Sequence, residues 1–306
     1  MSAVTAMSAA GDFAQWMKAV QGRMEQALSD YQPAADLLPA RLHEAMRYAS
    51  LDGGKRVRPL LVFAAGELFG AHPTALARAG AAVEMIHAYS LVHDDMPCMD
   101  DDELRRGKPT VHVKYDEATA LLVGDALQSQ AFIVLSAQDD GMPDAARQLA
   151  LVRLLAEASG SVGMCGGQAI DLASVGIALS REALEQMHRM KTGALLRASV
   201  LLGAWCGKSL DASEAAALDR YAAAVGLAFQ VVDDILDATG DSAALGKTAG
   251  KDAADNKPTY VSILGLEASK TLAETLRGDA HRAVEQFGAK AQRLRELADL
   301  IVQRKA

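Results

Sequence analysis

The sequence predicts an all-α fold in a single domain, and three observations carry that prediction. Hydrophobic residues make up 50% of the 306-residue chain but aromatics only 5%. Much of the apolar content is Ala and Leu, a mixture that favours helix over strand. The eight prolines, Pro33, Pro39, Pro59, Pro73, Pro97, Pro109, Pro143 and Pro258, fall mainly between segments of helical periodicity. Alternating apolar and polar runs, which mark half-buried strands, are absent, as is any repeat of fixed period.

Read in order, residues 1–10 are small and nearly uncharged and form an expected loose tail. They lack the basic start and apolar core of a signal peptide, and Met7 is a second candidate start. Helices are expected over 11–28 and 37–50, the second ending before the Gly53-Gly54 turn. The next two, 59–69 and 74–94, begin at or just after Pro59 and Pro73, where the first turn tolerates proline. Further helices are expected over 112–137, 144–162, 181–204, 211–237, 258–267, 270–287 and 290–304. No linker divides them, so residues 11–306 read as one domain. Two stretches, 79–92 and 221–232, are apolar on nearly every face, which places them at the centre of a bundle.

The formal charge of −8 argues against nucleic acid as the main partner. Cys98, Cys165 and Cys206 are odd in number and widely spaced, so neither a disulfide framework nor a zinc site is suggested. No window offers about 18 uninterrupted apolar residues with spanning flanks. A soluble, cytoplasmic protein without a membrane span is expected.

Each central helix ends in aspartates: His93-Asp94-Asp95-Met96-Pro97-Cys98-Met99-Asp100-Asp101-Asp102 and Gln230-Val231-Val232-Asp233-Asp234-Ile235-Leu236-Asp237. The helix dipole is already negative at that end, and desolvation adds to the cost. A solvated acidic helix end would account for one such pair; two pairs, each capping an apolar helix, call for a shared cation. Asp233 and Asp237, four apart, share a helix face. Asp94 and Asp100 would not on a regular helix, although Pro97 breaks the ladder between them; Asp101 would align, so spacing leaves both open. Oxygen ligands alone suit Mg2+, which prefers one or two carboxylates plus substrate phosphate oxygens.

Four basic sets could complete a diphosphate site: Gly53-Gly54-Lys55-Arg56-Val57-Arg58-Pro59, Arg105-Arg106-Gly107-Lys108, Lys191-Thr192-Gly193, and Gly246-Lys247-Thr248-Ala249-Gly250-Lys251-Asp252 with Asn256-Lys257-Pro258. His87 and Tyr89 lie on the first apolar helix, where a hydrogen-bonded core histidine and a core aromatic are the plain readings. Gln168 and Asp171, after Gly166-Gly167, either support the site or mark a helix break.

The order Gly-Gly-Lys-Arg-x-Arg-Pro, His-Asp-Asp-x4-Asp with Arg-Arg-Gly, Lys-Thr, Phe-Gln-x2-Asp-Asp-x2-Asp, then Gly-Lys with Asn-Lys, over roughly residues 40 to 265, resembles the trans-type polyprenyl diphosphate synthases. The resemblance implies about ten helices around a deep central cavity, usually in a homodimer. It implies three Mg2+ ions with substrate bound, held by Asp94, Asp100 and Asp233 and bridged by an allylic diphosphate, either dimethylallyl or geranyl. In that frame Asp95 and Asp234 support catalysis. Arg105, Lys191, Thr192, Gln230, Lys247 and Lys257 touch the allylic substrate, while Lys55, Arg58, His87 and Arg106 hold isopentenyl diphosphate. Tyr89, five residues before the first cluster, and Ser90 beside it would limit the product to C15, farnesyl diphosphate. Geranyl or geranylgeranyl diphosphate is the alternative product. A terpene cyclase, or a non-catalytic subunit of a heteromeric synthase, would depart from these motifs.

Overall fold

The computed structural model describes residues 9–177, 179–239 and 258–304. It is a bundle of helices: α1 (Ala9–Asp30), α2 (Ala40–Ser50), α3 (Val57–Leu68), α4 (Pro73–Asp94), α5 (Val111–Lys114), α6 (Glu117–Ser136), α7 (Ala145–Ser159), α8 (Met164–Ala173), α9 (Arg181–His188), α10 (Ala194–Gly207), α11 (Ala212–Thr239), α12 (Tyr260–Leu264), α13 (Leu266–Ala283) and α14 (Gln292–Gln303). The two stretches expected at the centre are there. In α4 all but a few residues from Ala75 to Val92 are buried, with α3, α6 and α10 packed around it. In α11 burial runs from Ala217 to Asp237, against α10, α13 and α14. One apolar cluster extends from Val20 in α1 to Ile301 in α14. A smaller one joins Leu184 and Met187 of α9 to Val231 and Val232 of α11 and to Tyr260.

Local capping explains where the boundaries differ from expectation. The helix expected from 112 breaks at Tyr115, and α6 restarts at Glu117 because the Asp116 carboxylate accepts the Thr119 N–H at 2.6 Å. Asp144 and Ser180 start α7 and α9 in the same way, and Thr259 forms a capping box with Ser262 at α12. α8 was not expected, because Gly163, Gly166 and Gly167 in and beside it weaken the helical signal. The helix expected over 181–204 carries a π-helical turn at Arg189–Gly193.

The fold is all-α, as expected, apart from one small hairpin among the described residues. Leu104–Arg105 (β1) pairs antiparallel with Lys108–Pro109 (β2), Arg105 facing Lys108. Arg106 at φ 52° and Gly107 at φ 74° are both left-handed, as a two-residue hairpin turn of this hand requires. Three stretches, Glu117–Ser136, Ala145–Ala173 and Ala212–Thr239, are long and apolar enough to cross a membrane. In the bundle 61% of the last of these is buried against other helices, so its apolar faces serve the core.

Candidate active site

The first aspartate cluster is shaped by a chain reversal. α4 ends at Asp94, and Pro97 prevents its continuation. The chain then folds back, with the Asp100 N–H donating to the Asp94 carbonyl at 2.8 Å and the Asp102 N–H to the Asp95 carbonyl at 3.1 Å. Asp100 therefore returns beside Asp94, while Asp101, at φ 51°, turns to solvent. Burial pushes the Asp94 carboxyl up to about 6; Lys191 and Arg105 oppose this, and Asp100 and Asp95 add to it. Asp95 has a different job. It is buried, and Arg105 grips both of its oxygens through Nε at 2.9 and 2.8 Å. Asp95 thus anchors Arg105 and the hairpin.

The second cluster divides in the same way. Asp233 lines the central cavity, while its neighbour Asp234 is buried and accepts the Gln230 amide at 2.9 Å and the Tyr260 N–H at 2.7 Å. Asp234 thereby fastens the start of α12 to α11. Asp237, one turn beyond Asp233, is buried and does not line the cavity. Asp233 Oδ1 pairs with Arg304 Nη2 at 2.5 Å. The Arg304 guanidinium lies over the Phe229 ring, 4.0 Å from its centroid, and donates to the Phe229 carbonyl at 2.9 Å. Arg304 escaped the sequence reading; it follows the last helix, and nothing local marks it as a partner of α11.

The basic residues come from both sides. The π-helical turn carries Lys191 and Thr192. Lys191 Nζ pairs with Asp171 Oδ2 of α8 at 2.5 Å, and the Thr192 hydroxyl donates to Gln230 Oε1 at 3.3 Å. Gly167 permits this closeness: a Cβ there would stand 2.1 Å from the Lys191 nitrogen. Asp171 is thus a support for Lys191, and Gln168 faces the cavity with no hydrogen-bond partner for its amide among the described residues.

Across the cavity, Arg58 at the start of α3 and His87 of α4 line the wall. Burial, and then the charges of Arg58, Arg106, Arg105 and Arg56, hold His87 well below the usual histidine range, so it is neutral. Burial lowers Arg58, with Glu84 and Asp233 opposing. Arg106 lays its guanidinium over Gly54 (φ 96°), where a Cβ would stand 2.5 Å from Nη1. Burial and the Arg304 charge lower Lys55, against the pull of Asp233. Arg56 is not a site residue: its side chain is 4% exposed and pairs with Glu84 at 2.7 Å and Glu25 at 2.9 Å. Lys247 and Lys257 lie outside the described residues.

Part of this set lines a cavity of about 500 Å³, while Arg105 and Arg106 line a second pocket with Asp95 and Lys108. The charged end of the cavity holds Asp94, Asp233, Lys191 and Arg58, and its walls include Met164, Leu172, Phe229 and Tyr89. Among the described residues, no three His, Cys, Asp or Glu side chains converge as a ready-made metal site. The donor set still fits Mg2+, which keeps several waters and completes its octahedron with substrate phosphate oxygens. A carboxylate raised by burial, with a second beside it, is a place where a divalent cation would relieve electrostatic cost.

The polyprenyl synthetase family model matches residues 39–296. The chain belongs to this family. It is 52% identical over 285 residues to a probable farnesyl diphosphate synthase of Sinorhizobium fredii, covering 92% of this chain and 85% of that protein. It is 47% identical to the farnesyl diphosphate synthase of Escherichia coli, over 96% and 99% of the two chains. A chloroplastic geranylgeranyl pyrophosphate synthase of Catharanthus roseus is 44% identical over 97% of this chain and 83% of that one. Among solved structures, an FPP/GFPP synthase from Zymomonas mobilis superposes with a TM-score of 0.85 at 41% identity, over 95% and 99% of the chains. A geranyltransferase from Helicobacter pylori, solved with magnesium and isoprenyl diphosphate, gives 0.83 at 31% identity over 97% and 98%. Family members of this kind are generally Mg2+-dependent and act on isoprenoid diphosphates.

Proposed function

We propose that this protein condenses isopentenyl diphosphate with dimethylallyl diphosphate and then with geranyl diphosphate, releasing farnesyl diphosphate. The observation that carries the reading is the polarised cavity, with carboxylates and cations of α4, α11 and the π-helical turn at one end and Tyr89 among apolar side chains further in. Residues 11–306 act as one domain, as the continuous apolar cluster from α1 to α14 supports.

Bound Mg2+ ions, three in number and held by Asp94, Asp100 and Asp233, would draw charge onto the departing diphosphate. Lys191, fixed by Asp171, and Arg105, fixed by Asp95, would donate to the same diphosphate, with Thr192 and Gln230 completing that side. Lys247 and Lys257 are assigned to it from the sequence. Arg58, Lys55, Arg106 and neutral His87 would hold the isopentenyl diphosphate, leaving its double bond free to attack the allylic carbon. The apolar walls exclude water while the allylic carbon is cationic. The new C–C bond leaves a tertiary cation at C3 of the isopentenyl unit, and its C2 proton would pass to the released diphosphate as the new double bond forms. No side-chain nucleophile is needed.

Purified protein incubated with isopentenyl and dimethylallyl diphosphates and Mg2+ should yield a C15 product, read as prenyl alcohols after phosphatase treatment. No product would sink the enzyme reading; C20 as the main product would favour the geranylgeranyl alternative. Tyr89→Ala should lengthen the product, since Tyr89 is 5% exposed and lines the cavity wall. An unchanged distribution would remove Tyr89 from length control.

We further propose a homodimer in the cytoplasm, where both charged substrates are dissolved. α6 presents Leu122 and Ile133, 54% and 60% exposed, on one stripe of its surface. Light scattering should give twice the 32.2 kDa chain mass, falling toward the monomer in Leu122→Glu/Ile133→Glu.

A further inference from the structure

Tyr89 does not close the cavity alone. Its hydroxyl meets Cys165 Sγ of α8 at 3.6 Å, and the Gln128 amide of α6 also reaches it. α4 and α8 both run toward the charged end, where α4 finishes at Asp94 and α8 holds Asp171 against Lys191. Tyr89 stands five residues before Asp94, about 7.5 Å down its helix, and Cys165 six residues before Asp171, about 9 Å down. The two side chains therefore reach the cavity at matching depth from opposite walls and touch across it. Cys165 is exposed and faces the cavity, whereas Cys206 is buried elsewhere in the core. The two glycines of α8 account for its close approach to the π-helical turn: a Cβ at Gly167 would stand 2.1 Å from the Lys191 backbone nitrogen, and one at Gly166 2.8 Å from Met190 Cε. The backbone at Cys165 is thus held against its surroundings, and the size of the residue at 165 translates directly into free length.

We propose that Cys165 is the second half of the length stop, a specificity-determining residue that acts with Tyr89. This rests on the chain-elongating activity proposed above. Tyr89 blocks from α4, and Cys165 buttresses its hydroxyl from α8, so that the tail meets a Tyr–Cys bar rather than one pivoting ring. A growing chain is stopped when its end reaches that bar. Enlarging either member shortens the path, and removing both opens it further than removing one.

The test uses the full chain with Cys165→Phe, and with Cys165→Ala alone and together with Tyr89→Ala. Cys165→Phe should shift the product toward C10. Its kcat/KM for geranyl diphosphate should fall by about ten- to a hundredfold, the range for added bulk in an apolar pocket, while that for dimethylallyl diphosphate stays within about threefold. Tyr89→Ala/Cys165→Ala should give more C20 and longer product than Tyr89→Ala. Equal loss with both primers would mark the Phe as merely disruptive and overturn the proposal, as would a double variant indistinguishable from Tyr89→Ala. Each result is read relative to the unsubstituted chain, so it stands whichever product that chain makes. Calorimetric titration with dimethylallyl and geranyl diphosphates, which needs no turnover, should show Cys165→Phe losing affinity for the longer ligand only; affinities unchanged from the unsubstituted chain would refute the bar even if the proposed activity failed.

Discussion

Asp94→Asn should lower turnover by about a thousandfold and, in the absence of divalent metal, make the protein more stable. The first effect is the removal of a ligand from the cation that draws off the diphosphate; a loss of about 4 kcal/mol of transition-state stabilisation corresponds to three decades. The second follows from the environment of the carboxylate. Burial among Asp95 and Asp100 raises Asp94 from 3.8 to about 6, and each unit is worth about 1.4 kcal/mol, so the ionised group costs the folded chain about 3 kcal/mol at neutral pH. The folded state holds the proton more tightly than the unfolded chain does. The favourable contribution is therefore complete below the unfolded value and is lost as pH rises through about 6. Calorimetry in chelator should show the variant's melting advantage small below about pH 4, about half-developed near pH 5 and largest above about pH 7. Near-normal turnover would refute the ligand role. A melting difference that ignores pH would refute the electrostatic account.

Asp233→Ala should lose as much activity without gaining stability. Arg304, whose side chain is 9% exposed, answers the Asp233 charge and would be left without its carboxylate partner. The two metal-ligand candidates are thus separable: one is electrostatically costly in the metal-free chain, and the other is already neutralised by the end of the last helix.

The contrast shows what was legible in the sequence. That α4 and α11 are buried all round and end in aspartates could be read from composition alone, and with it the general position of the site. Which aspartate faces the cavity could not. Asp94 and Asp95 are adjacent, as are Asp233 and Asp234, and adjacent helical side chains point about 100° apart. Only the packing of the hairpin and of α12 decides that Asp95 binds Arg105 and Asp234 receives the Tyr260 N–H. The choice between Asp100 and Asp101 depended on the reversal after Pro97, which no helical wheel describes. α8 was hidden by its own glycines, the residues that let it lie against the π-helical turn. The resemblance to a family supplied roles for these positions, but not the distances that separate ligand from support.

Glu84 was equally invisible, one charge in an apolar run, and its removal should have the largest effect on stability. Its side chain is 4% exposed and meets Arg56 at 2.7 Å, and Arg58 and Arg106 also feel its charge. Arg56 sits at φ 53°, a left-handed position at the N-terminus of α3, and its second nitrogen binds Glu25 and the Ser50 carbonyl. This knot holds the glycine turn that presents Lys55 and Arg58. Glu84→Met removes the only negative member of the group that is fully buried and leaves a buried guanidinium beside two others. Breaking such a pair costs about 3–5 kcal/mol, much more than an exposed pair. At roughly 2–4 °C per kcal/mol for a chain of this size, the melting midpoint should fall by about 6–20 °C. Because the Glu84 charge acts on Arg58 and Arg106, KM for isopentenyl diphosphate should rise while KM for the allylic partner changes little. Arg56→Met/Glu84→Met should recover part of the lost stability, since the stranded charge goes with its partner. If Glu84→Met melts with the unsubstituted protein, the ion pair is not what secures the turn. If the double variant is the least stable of the three, Arg56 contributes chiefly through Glu25 and Ser50.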